Sequence, residues 1–178
     1  GGLASHGGAI GVILALWLFS RYVSKRPMLW MLDKVVVPTA LAASLIRLGN
    51  LMNSEILGRN ADVPWAFLFV RADGPDALPR HPVQLYESFS YLIIFAILFF
   101  TYWKTKYRFK QGFLFGLFMT LVWGVRLVME LFKESQGGFE SAFGNVLSTG
   151  QLLSIPFVLI GLYFMFRPIP FSEPKASR

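Results

Sequence analysis

Cysteine is absent from the 178 residues. Disulfides, thiolate metal sites and a cysteine nucleophile are therefore excluded, and the redox compartment leaves no mark on the sequence. Charge is scarce as well: Asp, Glu, Lys and Arg make up 15% of the chain, against about 25% in soluble domains. Histidine occurs twice, as His6 and His81. No H-E-x-x-H or similar spacing joins either to an acid, so no metal ligand set is expected. There is no phosphate-cradling glycine loop, no internal repeat and no low-complexity tract. Nothing at the N-terminus has the basic n-region of a secretory signal peptide. A start at Gly1, without Met, suggests sequence upstream.

What is abundant is apolar. The chain is 54% hydrophobic and 16% aromatic, with a mean hydropathy of +0.52. This composition belongs to a membrane protein. The net charge is +7, but the basic residues bracket apolar runs instead of forming a polar face with a reading motif. Anionic membrane lipid is thus the expected partner of that charge, and nucleic acid is not. Five apolar runs stand out against a spanning requirement of about 20 residues: Leu3–Ser20, Leu32–Leu48, Ser88–Trp103, Gly112–Leu131 and Leu147–Phe166. The expected fold is all-α, a polytopic transmembrane helical bundle over residues 1–168, with a short cytoplasmic tail at 169–178. The second run is the weakest, because Asp33 and Lys34 begin it, Pro38 interrupts it and Arg47 ends it. A half-buried or re-entrant helix is its alternative.

The basic residues fix an expected orientation. Arg21, Lys25, Arg26 and Lys34, then Lys104, Lys106, Arg108 and Lys110, then Arg167, Lys175 and Arg178 account for eleven of the 17 Lys and Arg. With five alternating spans, these three groups fall on one side, which the positive-inside rule makes cytoplasmic. The N-terminal GGLASHGG, the segment Gly49–Glu87 and the Lys133–Val146 loop then lie outside.

The remaining polar residues gather on that outer side. Arg47, Asn50, Asn53, Glu55 and Arg59 lie in IRLGNLMNSEILGR; Arg80, His81, Gln84 and Glu87 lie in LPRHPVQLYES; Arg126 and Glu130 are four apart in WGVRLVMELF. An arginine at membrane depth costs about 2.5–3.5 kcal/mol on insertion scales, so it persists where it meets a partner or a wet cavity. Each residue also has a structural reading. Arg126 and Glu130 fit an i, i+4 ion pair. Arg59 and Arg80 fit solvated loop charges, and His81 before Pro82 fits a turn. Asn50 and Asn53 fit helix caps beside a break at Gly49. Gly7, Gly8, Gly11, Gly112 and Gly116 fit small-residue helix contacts. On the functional side, the arginine fork matches phosphate. Arg47 and Arg126, on different helices, are thus placed to hold a lipid phosphate. A histidine with an ordinary pKa near 6.5 suits removal of a proton from a nucleophile. Without cysteine or a Ser–His–acid arrangement, that nucleophile belongs to a substrate.

Four stretches in order, SHGGAIG, RLGNLMNSEILGR, RHPVQLYE and GQLLSIP, resemble the bacterial prolipoprotein diacylglyceryl transferases from Gly1 to about Pro156. The resemblance implies a multi-pass inner-membrane enzyme with its site toward the periplasm. It would move the diacylglyceryl group of phosphatidylglycerol onto the lipobox cysteine of a prolipoprotein signal peptide, making a thioether, releasing glycerol phosphate and using no cofactor. It assigns catalytic roles to His6 of the H-G-G motif and to Arg47 and Arg126. Asn50, Asn53, Glu55, His81, Gln84, Glu87 and Glu130 become substrate-binding candidates, with Tyr86 in the same H-P-x-Q-x-Y-E segment. Two departures stand out. Many members carry a tyrosine about one turn before the late arginine, where this chain has Val122 and Trp123. The family also has helices before its H-G-G motif, and those are not in this sequence. A membrane transporter or channel with Arg47, Arg126 and Glu130 along its pathway is the alternative class, and a non-catalytic scaffold a third. A transporter is expected to show repeats or paired broken helices, and the sequence has neither.

Overall fold

The computed structural model describes residues 5–133 and 149–170, the side chains of residues 5, 6, 9 and 149 excepted. The expected residues Gly1–Ala4, most of the Lys133–Val146 loop and the tail beyond residue 170 lie outside the described residues.

Apolar runs become helices because a chain in lipid must satisfy every backbone N–H and C=O within itself. Among the described residues five such helices form: α1 (Ser5–Leu18), α2 (Met28–Met52), α4 (Val83–Lys104), α5 (Phe113–Met129) and α6 (Thr149–Phe166). The short helix α3 (Val70–Asp73) lies in the connection between α2 and α4, with a two-stranded antiparallel pair, β1 (Phe67–Leu68) and β2 (Pro79–Arg80). Among the described residues three segments are long and apolar enough to cross a membrane, Met28–Met52, Val83–Lys104 and Phe113–Phe132; Ile10–Ser24 and Gly150–Phe166 are shorter apolar helices. The re-entrant alternative for the second run fails. α2 is a single 25-residue helix that runs through Pro38 and Gly49.

Helices α2, α4 and α5 pack against one another, α6 packs on α5, and α1 makes a few contacts with α2. The core is Val36 and Ala40 of α2, Tyr91, Ile94 and Leu98 of α4, and Leu114 of α5. On the far side α5 and α6 meet backbone to backbone. A Cβ on Gly116 would sit 2.6 Å from the carbonyl oxygen of Gly161. Gly116 is thus the small-residue contact its sequence suggests, and Gly161 is its unforeseen counterpart. Gly112 meets Arg167 and takes φ +82°, which a side chain would resist. Among the described residues nothing lies within 4 Å of a Cβ built on Gly7, Gly8 or Gly11, so none of the three makes the expected helix contact there.

Contacts between helix ends sort the bundle into two poles. At one, Asp33 near the start of α2 is buried and accepts hydrogen bonds from the backbone N–H of Gly112 (2.6 Å) and Phe115 (2.8 Å) at the start of α5. These donors have no partner within their own helix, and the sequence supplies their acceptor from a different one. Beside it, Lys34 donates to the Tyr102 hydroxyl at 2.9 Å, Lys110 donates to the Met165 carbonyl at 2.6 Å and Arg167 to the Gln111 carbonyl at 2.6 Å. The described basic residues of all three groups therefore share one pole, as the alternation of five spans requires. At the other pole Ser44 and Ser88 bond side chain to side chain at 2.9 Å. Beyond them, Arg59 N–H donates to the Phe132 carbonyl at 2.8 Å.

Removing the Asp33 carboxylate would strand two N–H donors in a buried junction. Asp33→Ala is expected to lower stability by about 2 kcal/mol, the usual size for a cap and a charge-assisted hydrogen bond, and Asp33→Asn by less. Thermal unfolding in detergent measures both; an Asp33→Ala protein that melts with the parent refutes the cap.

Candidate active site

α2 ends where its sequence stops being apolar, and that end carries the first half of the site. Its last turns put Arg47 and Asn50 on one face, three residues apart. Arg47 Nη1 donates to Asn50 Oδ1 at 3.3 Å, and Asn50 Nδ2 donates to Glu55 Oε2 at 2.8 Å. The chain can return to make that second bond because Asn53 closes the helix, its N–H on the Gly49 carbonyl. Glu55 N–H then bonds the Asn50 carbonyl at 2.9 Å. Ser54 and Ile56 turn the corner with φ of 56° and 57°. Asn53 thus occupies the cap, whereas Asn50 relays between two charged side chains. Gly49 lies inside the helix and is not a break.

α4 supplies the second half. Gln84 and Glu87, one turn apart, are both fully buried. Gln84 Nε2 donates to the Glu55 carbonyl at 2.6 Å and pins the corner. Glu87 stands between two cations: Lys133 Nζ at 2.8 Å from Oε1 and Arg47 Nε at 2.9 Å from Oε2. The Arg47 contact is an ion contact without hydrogen-bond alignment, since Oε2 accepts no aligned donor. Arg47 therefore keeps donor capacity that Glu87 does not use.

α5 brings the second arginine. Arg126 lies with its guanidinium carbon 5.2 Å from the centre of the Trp123 ring, and its Nε is buried without a hydrogen-bond partner. Trp123 is itself held by Phe157 of α6, stacked at 4.3 Å and 17°. No ion pair joins Arg126 to Glu130 among the described residues. Long side chains lean toward the N-terminus of their helix, which carries Arg126 back toward Trp123. The backbone stays helical through Glu130, whose N–H bonds the Arg126 carbonyl, so the spacing is kept and it is the direction of the Arg126 side chain that leaves the pair unmade. The Glu130 carboxylate lies against Gly150, where an added Cβ would come within 2.5 Å of it.

Between these parts is a cavity of about 250 Å³ lined by Ala43, Ile46, Arg47, Tyr91, Val122, Trp123 and Arg126. Its lining carries two arginines from different helices and no acid. Sequence reasoning finds both. It misses Trp123 as their aromatic support and Tyr91 as part of the wall, because neither lies in a polar motif. It also misses Lys133, whose role only the fold reveals.

The other expected residues stand apart from this cavity. His81 sits in an aromatic cluster, its Nδ1 3.2 Å from the Tyr86 hydroxyl and its ring edge-on to Phe132; Trp65 Nε1 donates to that hydroxyl at 2.7 Å. The His81 N–H bonds the Arg59 carbonyl, and Gly58 is packed so closely beneath His81 that its missing Cβ is required. Arg59 and Arg80 are not simply solvated. Arg59 Nε donates to the Lys133 carbonyl at 2.7 Å, and Arg80 grips both oxygens of Asp73 at 2.6 and 3.2 Å. The backbone of His6 belongs to the first turn of α1, but its side chain lies outside the described residues.

A family model for the prolipoprotein diacylglyceryl transferases matches residues 1–167. Curated relatives carry the name phosphatidylglycerol–prolipoprotein diacylglyceryl transferase. The protein of Tolumonas auensis is 52% identical over 165 residues, 93% of this chain and 62% of its own length. That of Chloroherpeton thalassium is 46% identical over 169 residues, 95% and 61%. That of Bacteroides fragilis is 47% identical over 165 residues, 93% and 57%. The chain spans about three fifths of the length of these relatives. With the four motifs in order and five apolar helices that carry them, the chain belongs to the prolipoprotein diacylglyceryl transferase family.

Proposed function

We propose that this chain carries the catalytic face of an enzyme that transfers the diacylglyceryl group of phosphatidylglycerol to the lipobox cysteine thiol of a prolipoprotein. The observation that supports it is the cavity between Arg47 and Arg126. Two permanently charged forks with unused donors, facing one space without an acid, suit a single phosphate. The volume, about 250 Å³, falls just under the usual ligand range of about 300–1,000 Å³. It suits a phosphoglycerol headgroup, with the acyl chains left in the bilayer beside the exposed faces of α2 and α4.

The step follows from this placement. The thiol sulfur attacks the glyceryl carbon that bears the phosphate ester. A carbon–sulfur bond forms, the carbon–oxygen bond breaks, and its electron pair goes to the phosphate oxygen, leaving glycerol phosphate. The extra negative charge develops beside Arg47 and Arg126, where preorganised cations stabilise it most. A thiol with pKa near 8.5 is only a few per cent thiolate at pH 7, so a base is useful. Of the two histidines, His81 is engaged with Tyr86 and Phe132, which leaves His6 as the base. Asn50, Asn53 and Glu55 hold Arg47 and its corner, Gln84 and Glu87 fix it to α4, and Glu130 shapes the α5–α6 junction. The basic pole faces the cytoplasm and the arginine pole the periplasm of the inner membrane, in keeping with the Lys/Arg asymmetry.

Arg126→Lys, in the full-length enzyme, is expected to lose transfer activity by one to two orders of magnitude, because an ammonium offers neither the fork nor the planar face that rests on Trp123. Mass analysis of a lipobox peptide incubated with phosphatidylglycerol reads this directly; full activity in the lysine variant refutes phosphate clamping. His6→Gln is expected to lower turnover at pH 7 by about a hundred- to ten-thousand-fold, the usual contribution of a general base. Donor-lipid affinity should stay intact, and turnover should partly recover as rising pH ionises the peptide thiol. Normal turnover at pH 7, or a loss confined to lipid affinity, would place the base elsewhere.

A further inference from the structure

We infer that the turn between α1 and α2 forms a second anionic-lipid site, at the basic pole and separate from the arginine cavity. Residues Trp17, Ser20, Arg21, Lys25, Arg26, Pro27 and Met28 enclose a cavity of about 320 Å³. Three of these seven are cations, and no acid is among them.

The turn is built, not merely basic. α1 does not end in an ordinary cap but widens into a π-helical turn over Phe19–Ser24, a form that concentrates at functional sites. Lys25 then takes the left-handed conformation, φ 50° and ψ 30°, which side chains rarely adopt without a local reason. Ser20 is buried and its hydroxyl donates to the Arg26 carbonyl at 2.5 Å, which ties the two sides of the turn together. The Arg26 guanidinium carbon lies 5.3 Å from the centre of the Trp30 ring, fixing the third cation. Arg21 and Lys25 remain exposed at the rim.

The surroundings identify the occupant as a phospholipid and not a soluble phosphate. Trp17 of the cavity lining and Phe19, Tyr22 and Val23 of the π-helical turn are all exposed. Trp and Tyr at the end of an apolar helix mark headgroup depth. A ligand there meets three cations together with Trp17 and Met28, a mixture that suits a phosphate with a glycerol ester attached. Basic pockets between helix ends at the Lys/Arg-rich face are established headgroup sites in membrane proteins as a class. This site needs nothing from the transfer reaction and stands or falls without it.

The test uses the full-length protein in phosphatidylcholine nanodiscs doped with phosphatidic acid, and counts the anionic lipid retained per protein by native mass spectrometry. Retention above the bulk fraction is expected. In Arg21→Gln/Lys25→Gln, apparent affinity should fall about five-fold for each cation removed, or about twenty-five-fold for the pair. Arg21→Lys/Lys25→Arg, which keeps the charge, should retain the lipid, and this separates charge loss from misfolding. Lys104→Gln/Lys106→Gln removes the same charge from the same pole outside the cavity and should leave retention near the parent value. An equal loss in that control would show a diffuse surface field and overturn the site. Release of the lipid by millimolar inorganic phosphate, or retention unchanged in Arg21→Gln/Lys25→Gln, would overturn it as well.

Discussion

Glu87 is a carboxylate with no access to solvent, and the arginine pole is arranged around it. A buried charge left unpaired costs several kcal/mol, and removing one partner of such a pair typically costs about 3–5 kcal/mol. Glu87 meets the constraint with two cations from two other segments, Arg47 of α2 and Lys133 beyond α5. Three parts of the chain that lie far apart in sequence are thereby fixed to one point. Ser44 and Ser88 bond one turn deeper, so α2 and α4 are already in register when the ions meet. One anion between two cations leaves the cluster with excess positive charge. The imperfect alignment of Arg47 on Glu87 leaves part of that excess facing the cavity.

The second arginine is held by a different principle. Arg126 has no acid on it among the described residues; it has the face of Trp123, and Trp123 has Phe157 behind it. An aromatic face orients a guanidinium without neutralising it. An ion pair with Glu130 would do the opposite, placing a carboxylate where an incoming phosphate needs a cation. The Glu130 carboxylate lies instead against Gly150, which gives it room on α6. Val122 and Trp123 line the cavity wall with Arg126.

Much of this was legible in the sequence, and the parts that were not share a cause. Hydropathy locates all five helices, and the Lys/Arg distribution separates the poles, because both signals are local and additive along the chain. Hydropathy treats Asp33 and Pro38 as defects in a span. In the fold, Asp33 is the acceptor for the start of α5, and Pro38 sits in an unbroken helix. A carboxylate within an apolar run looks like an error until the donors from another helix are in place. Arg126 and Glu130 show the reverse. Their spacing predicts a pair, and the helix keeps that spacing, with the Glu130 N–H on the Arg126 carbonyl, yet Arg126 turns to Trp123 instead. Likewise the glycines of α1 and those of α5 look alike in sequence, yet only Gly112 and Gly116 meet another segment.

The two poles also differ in what their charges do. At the basic pole most described cations are spent on backbone carbonyls, a hydroxyl or aromatic faces: Lys110 on Met165, Arg167 on Gln111, Lys34 on Tyr102 and Trp30. Those contacts close helix ends against one another and make the pole rigid. At the arginine pole Glu87 and Asn50 take up part of Arg47, and among the described residues Arg126 rests on the Trp123 ring. Closed helix ends at one pole and unspent donors at the other are the arrangement the proposed phosphate site needs. The bundle can hold its shape while a phosphate enters and leaves, because the bonds that define the fold are not the ones the ligand would make.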